Sequence, residues 1–230
     1  MDKGTVSTSP FCLIAVGKNR LGTILAVTIE VFADIWCPFA YVGLLMAREQ
    51  RNNSSNPETA LVIRAWPLEL VNGKPQNAEA TEHHAGDLRT QVAPQLFANV
   101  DASHFPTSSL EALALVARAY RQSSARGEEA SFVLRHALFE EGADISNPAV
   151  LSALAVKLGV PAVEQQDRDQ VQADWEEGQA RGVVGSPHFF HGAESLFCPS
   201  LSISRDKNSR IHVSIEQERL RGFIDTCLAG

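Results

Sequence analysis

The chain has no Cys-x-x-Cys pair, and its four cysteines, at 12, 37, 198 and 227, stand far apart. That excludes a local redox dithiol. With no Cys/His cluster at zinc spacing, no metal site is expected either. No stretch approaches the roughly 18 consecutive apolar residues of a membrane-spanning helix, and no dense Lys/Arg run accompanies the net charge of −7. Neither a membrane nor nucleic acid is therefore an expected partner. A secretory leader is not expected either: Phe11 to Val16 is a short apolar run, followed by Lys18-Asn19-Arg20 rather than a small-residue cleavage site. A cytoplasmic location is expected, and a disulfide framework is not. Residues 1–26 read as a loosely attached N-terminal extension, with Val27 a candidate alternative start. The remaining length, at 44% hydrophobic content over 230 residues, supports a full core in one large domain or a domain carrying an insertion.

What the sequence does carry is Cys37-Pro38-Phe39-Ala40 after an apolar strand. Val27 to Phe32 alternates β-branched or apolar side chains with others, as a strand does, and Ala33 to Trp36 leads out of it. Pro38 suits the first turn of a helix, where a missing N–H is tolerated and proline's φ is already helical. From Tyr41 to Arg51 the residues favour helix, with Tyr41, Leu44, Leu45 and the stem of Arg48 expected on one face. Cys37 is thus expected at a helix N-terminus, where unpaired N–H groups and the macrodipole favour a negative sulfur. Thiols so placed have pKa values of roughly 3.5–7.5 against about 8.5 for free cysteine, which predicts a nucleophile.

A turn cluster, Asn52 to Pro57, separates this helix from a second strand, Ala60 to Trp66. Strand, helix and strand make a βαβ unit with parallel strands. Trp66 to Leu70 reads as the end of that strand, covering the core. Helical periodicity follows over 78–98, broken at Pro94, and over 107–125, capped by Ser108 or Ser109. Further helices are expected over 128–141 between Gly127 and Gly142, over 147–158 between Asn147-Pro148 and Gly159, and over about 161–181. His83 and His84 read as solvated, and Trp175 as half-buried.

Ser186-Pro187 precedes a β-rich run and is a candidate cis peptide. A turn near Gly192 returns Ser195 to Cys198 antiparallel, which places Cys198 opposite Pro187. Ser200 to Arg205 and Ser209 to Ile215 alternate about Asp206-Lys207-Asn208 as a further hairpin. A last amphipathic helix, Glu216 to Leu228, directs Leu220, Phe223, Ile224 and Cys227 to the core.

In order and spacing these features resemble the DsbA-like branch of the thioredoxin superfamily. Asp34-Ile35-Trp36-Cys37-Pro38-Phe39-Ala40-Tyr41-Val42-Gly43 is similar to the start of its cytoplasmic FrnE-type members, to which the 2-hydroxychromene-2-carboxylate isomerases are related. The resemblance covers about residues 27–229. It implies an α/β, thioredoxin-like fold with a helical insertion between the second strand and the cis-Pro strand: a thioredoxin-like domain over 27–73 and 182–230, and a helical subdomain over 74–181. It also implies Cys37 as the nucleophile facing cis-Pro187. Trp36, Pro38, Phe39, Ser186 and Pro187 form the implied thiol- and substrate-binding surface, with the Ser186 backbone pairing with an extended thiol substrate. Phe105-Pro106-Thr107 is expected, by analogy, to overhang Cys37.

Ala40 stands where dithiol members carry their second cysteine, so attack on a disulfide leaves a mixed disulfide with no resolving thiol in the motif. Four readings stay open. A small thiol, glutathione or mycothiol, resolves the adduct as co-substrate, with no tightly bound cofactor. Cys198 resolves it across the hairpin. A third possibility is an enzyme like the kappa-class glutathione transferases and the isomerases, with Cys37 in place of the serine that holds the glutathione thiolate and Trp36 and Phe39 lining an apolar electrophile site. The last is a binding protein that keeps the fold without turnover. A Cys37 thiol more acidic than a free one favours an enzyme; an unshifted one favours a scaffold.

Overall fold

A computed structural model describes residues 28–198, 202–205, 211–214 and 217–229. The extension expected over 1–26, with Cys12 in it, and the turn at Asp206-Lys207-Asn208 lie outside the described residues. In chain order the elements are β1 (Thr28–Ala33), α1 (Pro38–Asn52), β2 (Ala60–Ala65), α2 (Leu68–Asn72), α3 (Ala78–Gln91), α4 (Leu110–Tyr120) and α5 (Ser124–Phe139). There follow α6 (Pro148–Leu158), α7 (Gln165–Ala180), β3 (His188–His191), β4 (Glu194–Phe197), β5 (Ser202–Arg205), β6 (Ile211–Ser214) and α8 (Gln217–Ala229). This is the expected thioredoxin-like α/β fold, with helices inserted between the second strand and the strand after Pro187.

Four strands form one sheet in the order β2-β1-β3-β4. β1 and β2 run parallel in register from Thr28 opposite Ala60 to Ala33 opposite Ala65, while β3 is antiparallel to β1 and β4 to β3. β5 and β6 pair only with each other, in a separate two-stranded sheet, with Ile203 opposite Val213. Alternation along β1 sorts two layers: Ile29, Val31 and Ala33 join Leu44, Ala47, Leu220, Ile224 and Cys227 under α1 and α8, while Phe32 packs with Trp66, Val183 and Phe190 on the other face. The face of Phe32 is latched by charge: Arg64 of β2 donates to Asp174 and Glu177 of α7 and to Glu30 of β1.

The single apolar face expected of α1 is in fact two. Leu44 and Ala47 look into the sheet core, whereas Tyr41 and Val42 belong to a second core built from the inserted helices. Arg48 lays its guanidinium 3.6 Å from the centre of the Phe132 ring. Enclosure on both sides is what holds the head of α1 rigidly.

Several boundaries differ from the sequence reading. β2 stops at Ala65, and Leu68 begins a short helix, because its N–H is bound by the Asp34 carboxylate at 2.6 Å. Ser109 occupies the N-cap of α4 without a side-chain cap bond, and the Ser108 hydroxyl accepts the Leu110 N–H at 3.2 Å; Glu69 of α2 braces both serines, accepting from the Ser109 N–H at 2.8 Å and from the Ser108 hydroxyl at 2.9 Å. α5 starts at Ser124, capped by Ser123, so Gly127 is not its boundary but lies within it. A Cβ on Gly127 would meet the Tyr120 ring at 2.1 Å. That ring also secures the sheet edge, its Oη accepting the Ile63 N–H at 2.7 Å. Gly127→Ala should therefore destabilise the fold by about 1–3 kcal/mol, the range for overpacking a tight contact. Urea unfolding of the two proteins checks this, and equal midpoints would reject the close packing of Tyr120 on α5.

Among the described residues no helix is long and apolar enough to cross a membrane.

Candidate functional site

β1 delivers the chain to the top of the sheet, and Asp34 to Trp36 turn it into α1. Cys37 is the N-cap residue, extended at φ −83° and ψ 110°, with Pro38 behind it and its carbonyl accepting the Tyr41 N–H at 3.1 Å. Its Sγ donates to the Ser186 carbonyl at 3.2 Å, 149 residues along the chain. The two separated motifs thus meet at one sulfur, and the Ser186–Pro187 bond is cis. Ser186 is held in turn, its Oγ accepting the Asp34 N–H at 2.9 Å.

The electrostatics correct one expectation. Cys37 does sit at a helix N-terminus, yet it is only 4% exposed, and burial pushes its thiol above the ordinary range. The Ser186 hydroxyl and the N–H groups of Ala40 and Phe39 pull the other way, and the Asp34 charge adds to the rise. Dipole stabilisation is worth about 0.3–2 kcal/mol, whereas a fully buried acid can shift upward by about 3–5 units. Desolvation wins.

Beneath the sulfur lies a buried polar group that sequence reasoning missed. Asp34 is fully buried, and burial raises its carboxyl to about 6 against bonds from the Leu68 N–H, the Ser109 hydroxyl and the Trp36 N–H. Arg135 of α5 is also fully buried, and its Nη2 donates to the Asp34 carbonyl at 3.0 Å. A signal for Arg135 existed in the sequence, since it breaks an apolar stripe between Leu134 and Leu138 on a helix buried on that side. Asp34 was visible as a carboxylate ending an apolar strand, three residues ahead of Cys37.

The remaining expected site residues divide. Pro38 and Pro187 are buried at the junction, and Ser186 is nearly so. Trp36 is wholly enclosed, stacked on Phe105 with ring centres 6.1 Å apart. Phe39 is part-exposed and packs 5.2 Å from the ring of His84. His83 is solvated as expected, while His84 is drawn in against Phe39. Of the two residues expected to line an apolar electrophile site, Phe39 is part-exposed and Trp36 fully buried.

Cys198 follows β4 with its N–H on the Pro187 carbonyl at 2.8 Å, as the hairpin register required. Burial, with the Cys37 charge adding to it, pushes its thiol up to about 12. Cys227 is buried in the core under α8. Among the described residues Cys37, Cys198 and Cys227 are free thiols, and no group of His, Cys, Asp and Glu is placed to hold a metal ion.

The family model described as the DSBA-like thioredoxin domain matches residues 28–204. Among solved structures, a probable DsbA oxidoreductase from Streptomyces coelicolor superposes with a TM-score of 0.63 at 18% identity, over 88% of this chain and 90% of that one. The cytosolic disulfide reductase DsbM from Pseudomonas aeruginosa gives 0.56 at 16% identity, over 88% and 98%. It is also solved with GSH. A 2-hydroxychromene-2-carboxylate isomerase gives 0.55 at 16% identity, over 74% and 88%. None of the curated proteins matches significantly. At these identities the solved structures establish a shared fold.

Proposed function

We propose that this chain, which belongs to the DSBA-like thioredoxin domain family, is a thiol-disulfide oxidoreductase that works through the single nucleophilic sulfur of Cys37. The observation that carries this reading is the Cys37 Sγ at the head of α1, 3.2 Å from the carbonyl that precedes Pro187. A cytoplasmic setting suits a chemistry that uses free thiols.

The deprotonated Cys37 sulfur attacks one sulfur of a substrate disulfide. The S–S bond breaks, the other sulfur leaves as a thiolate, and Cys37 holds a mixed disulfide. Ala40 offers no thiol, so a small thiol of the glutathione or mycothiol kind completes the exchange. Its thiolate attacks the substrate sulfur of the adduct, forms a new disulfide with it and returns Cys37 as thiolate. The relative solved with GSH lends support to that choice. Cys198 is the other resolving sulfur in reach of the hairpin, although a thiol pushed up to about 12 carries little thiolate at neutral pH.

Peptide mapping after exposure of the reduced chain to glutathione disulfide tests this. A glutathionyl adduct on Cys37 that free glutathione removes is expected. A linked Cys37–Cys198 peptide would make Cys198 the resolving thiol instead. A Cys37 that stays unmodified in the folded chain, but is alkylated once unfolded, would reject the enzyme reading.

A second reading, a thioredoxin-fold binding protein without turnover, has one observation in its favour: burial raises the Cys37 thiol instead of lowering it. It predicts the unmodified outcome.

A further inference from the structure

We propose that Arg135 is a positioning residue for Cys37, a buried cation carried on an inserted helix that stabilises the ionised sulfur through the Asp34 and Ser186 backbone. The inference rests on Cys37 being the reacting group.

A fully buried guanidinium is costly, and such groups ordinarily sit against a carboxylate. Arg135 is 0% exposed, yet its Nη1 donates to the Ser131 carbonyl at 3.0 Å and to the Ser131 hydroxyl, and its Nη2 to the Asp34 carbonyl. Its Nε is buried with no partner. Its direct partners are thus neutral oxygens, and its positive charge is not consumed by a contacting anion.

From Arg135 a line of hydrogen bonds leads to the thiol. The guanidinium holds the Asp34 carbonyl, the Asp34 N–H holds Ser186 Oγ, and the Ser186 carbonyl holds the Cys37 S–H. Loss of the thiol proton removes the last bond and sets a negative sulfur beside a carbonyl oxygen, which is repulsive. The Ser186 hydroxyl supplies a replacement donor, because its oxygen is already fixed by Asp34 and its proton is left for the sulfur. The charge still needs a counter-ion in a site that water does not reach.

The titratable groups facing Arg135 are Asp34 before α1, Tyr41 on α1 and Tyr120 on α4, together with Cys37 itself; Cys198 flanks the sulfur from the end of β4. None of these is another cation. Asp34 and Cys37 are acids drawing on the charge of Arg135, and both push its guanidinium up against burial, which brings it down to about 10.

The test is the alkylation rate of Cys37 against pH, read by peptide mapping on the full chain, for Arg135→Met, Arg135→Gln and Ser131→Ala. Arg135→Met should lower the Cys37 thiolate fraction at a given pH about tenfold or more, one pKa unit. Arg135→Gln keeps a donor for the Asp34 carbonyl but carries no charge, so it should lower the fraction by a similar factor. Ser131→Ala removes a bond to the guanidinium but not its charge, so it should leave the titration in place while lowering the melting temperature. A folded Arg135→Met protein with the wild-type titration overturns the proposal. So does a folded Arg135→Gln protein with the wild-type titration, which decides the matter if Arg135→Met does not fold, and so does a Ser131→Ala shift of tenfold. The alkylation profile is read apart from turnover: a chain that fails to exchange disulfides rejects the enzyme reading and leaves this coupling to stand or fall by its own data.

Discussion

Ala40→Cys should convert a one-sulfur site into one that resolves its own mixed disulfides. Ala40 lies in the first turn of α1, three residues after Cys37, and its N–H already faces the Cys37 sulfur. Positions three apart in a helix share a face, within the Cα separation of about 4.4–6.8 Å that a disulfide requires. A neighbouring thiol acts at a far higher effective concentration than a millimolar free thiol, because its encounter entropy is already spent. Disulfide reduction per enzyme should rise by roughly a hundredfold on that ground. Ala40 is fully buried, so the added sulfur displaces packing against Leu44 and its neighbours, at a cost of about 1–3 kcal/mol. Thiol counting after mild oxidation, combined with turnover of a protein disulfide, reads the result. A folded variant whose two sulfurs both remain free after oxidation would show that Cys37 and residue 40 do not face one another, and would remove the basis for treating Cys37-Pro38-Phe39-Ala40 as a dithiol site with one sulfur replaced.

Asp34→Asn is the second large effect, and it separates stability from chemistry. Burial raises the Asp34 carboxyl from 3.8 to about 6. A carboxyl with a raised folded-state pKa stabilises the fold in its protonated form. Its contribution is fully present below about pH 4 and is lost as pH rises through about 6. A rise of about two units corresponds to roughly 3 kcal/mol, an order-of-magnitude figure for a group that solvent does not screen. An asparagine cannot ionise, and its carbonyl can still accept the Leu68 N–H. The stability of the variant relative to the wild type should therefore climb by a few kcal/mol between about pH 4 and about pH 7.5. Removing the anion beside Cys37 should also make the thiol more acidic, since the Asp34 charge raises it. Urea unfolding at the two pH values and a Cys37 alkylation profile give the two readings. Parallel stability curves for variant and wild type would show that Asp34 ionises freely in the folded state.

The resting thiol reconciles two views of this site. A buried, protonated Cys37 is protected from adventitious oxidation, and deprotonation depends on the hydroxyl of Ser186 and on charge nearby. On the proposed function, a substrate disulfide entering at the junction of α1 with the Ser186–Pro187 segment would displace the S–H bond to the Ser186 carbonyl.

Much of the frame is written in short stretches of the sequence. Val27 to Phe32 alternates with period two, Asn147-Pro148 opens a helix and Gly159 ends it at φ +64°, and Gly192 turns the hairpin that brings Cys198 onto Pro187. These are short-range choices, decided by side-chain shape and backbone freedom within a few residues. The same local logic misjudged the ends of α4 and α5. Glu69 braces the serines at the head of α4 from 40 residues away, and Gly127 matters for the Tyr120 ring it admits rather than for stopping a helix.

Local chemistry is enough to say where the sulfur stands: Pro38 and the strand before it place Cys37 at the head of a helix, and Ala40 denies it a neighbour. The state of that sulfur is a matter of long-range packing. Protonation depends on water, on charge and on hydrogen-bond partners, and those are set by chain segments 101 and 149 residues away that fold over Asp34 and Cys37. Spacing along a chain carries no measure of desolvation, which is why a helix N-terminus predicted an acidic thiol and a closed core produced the opposite.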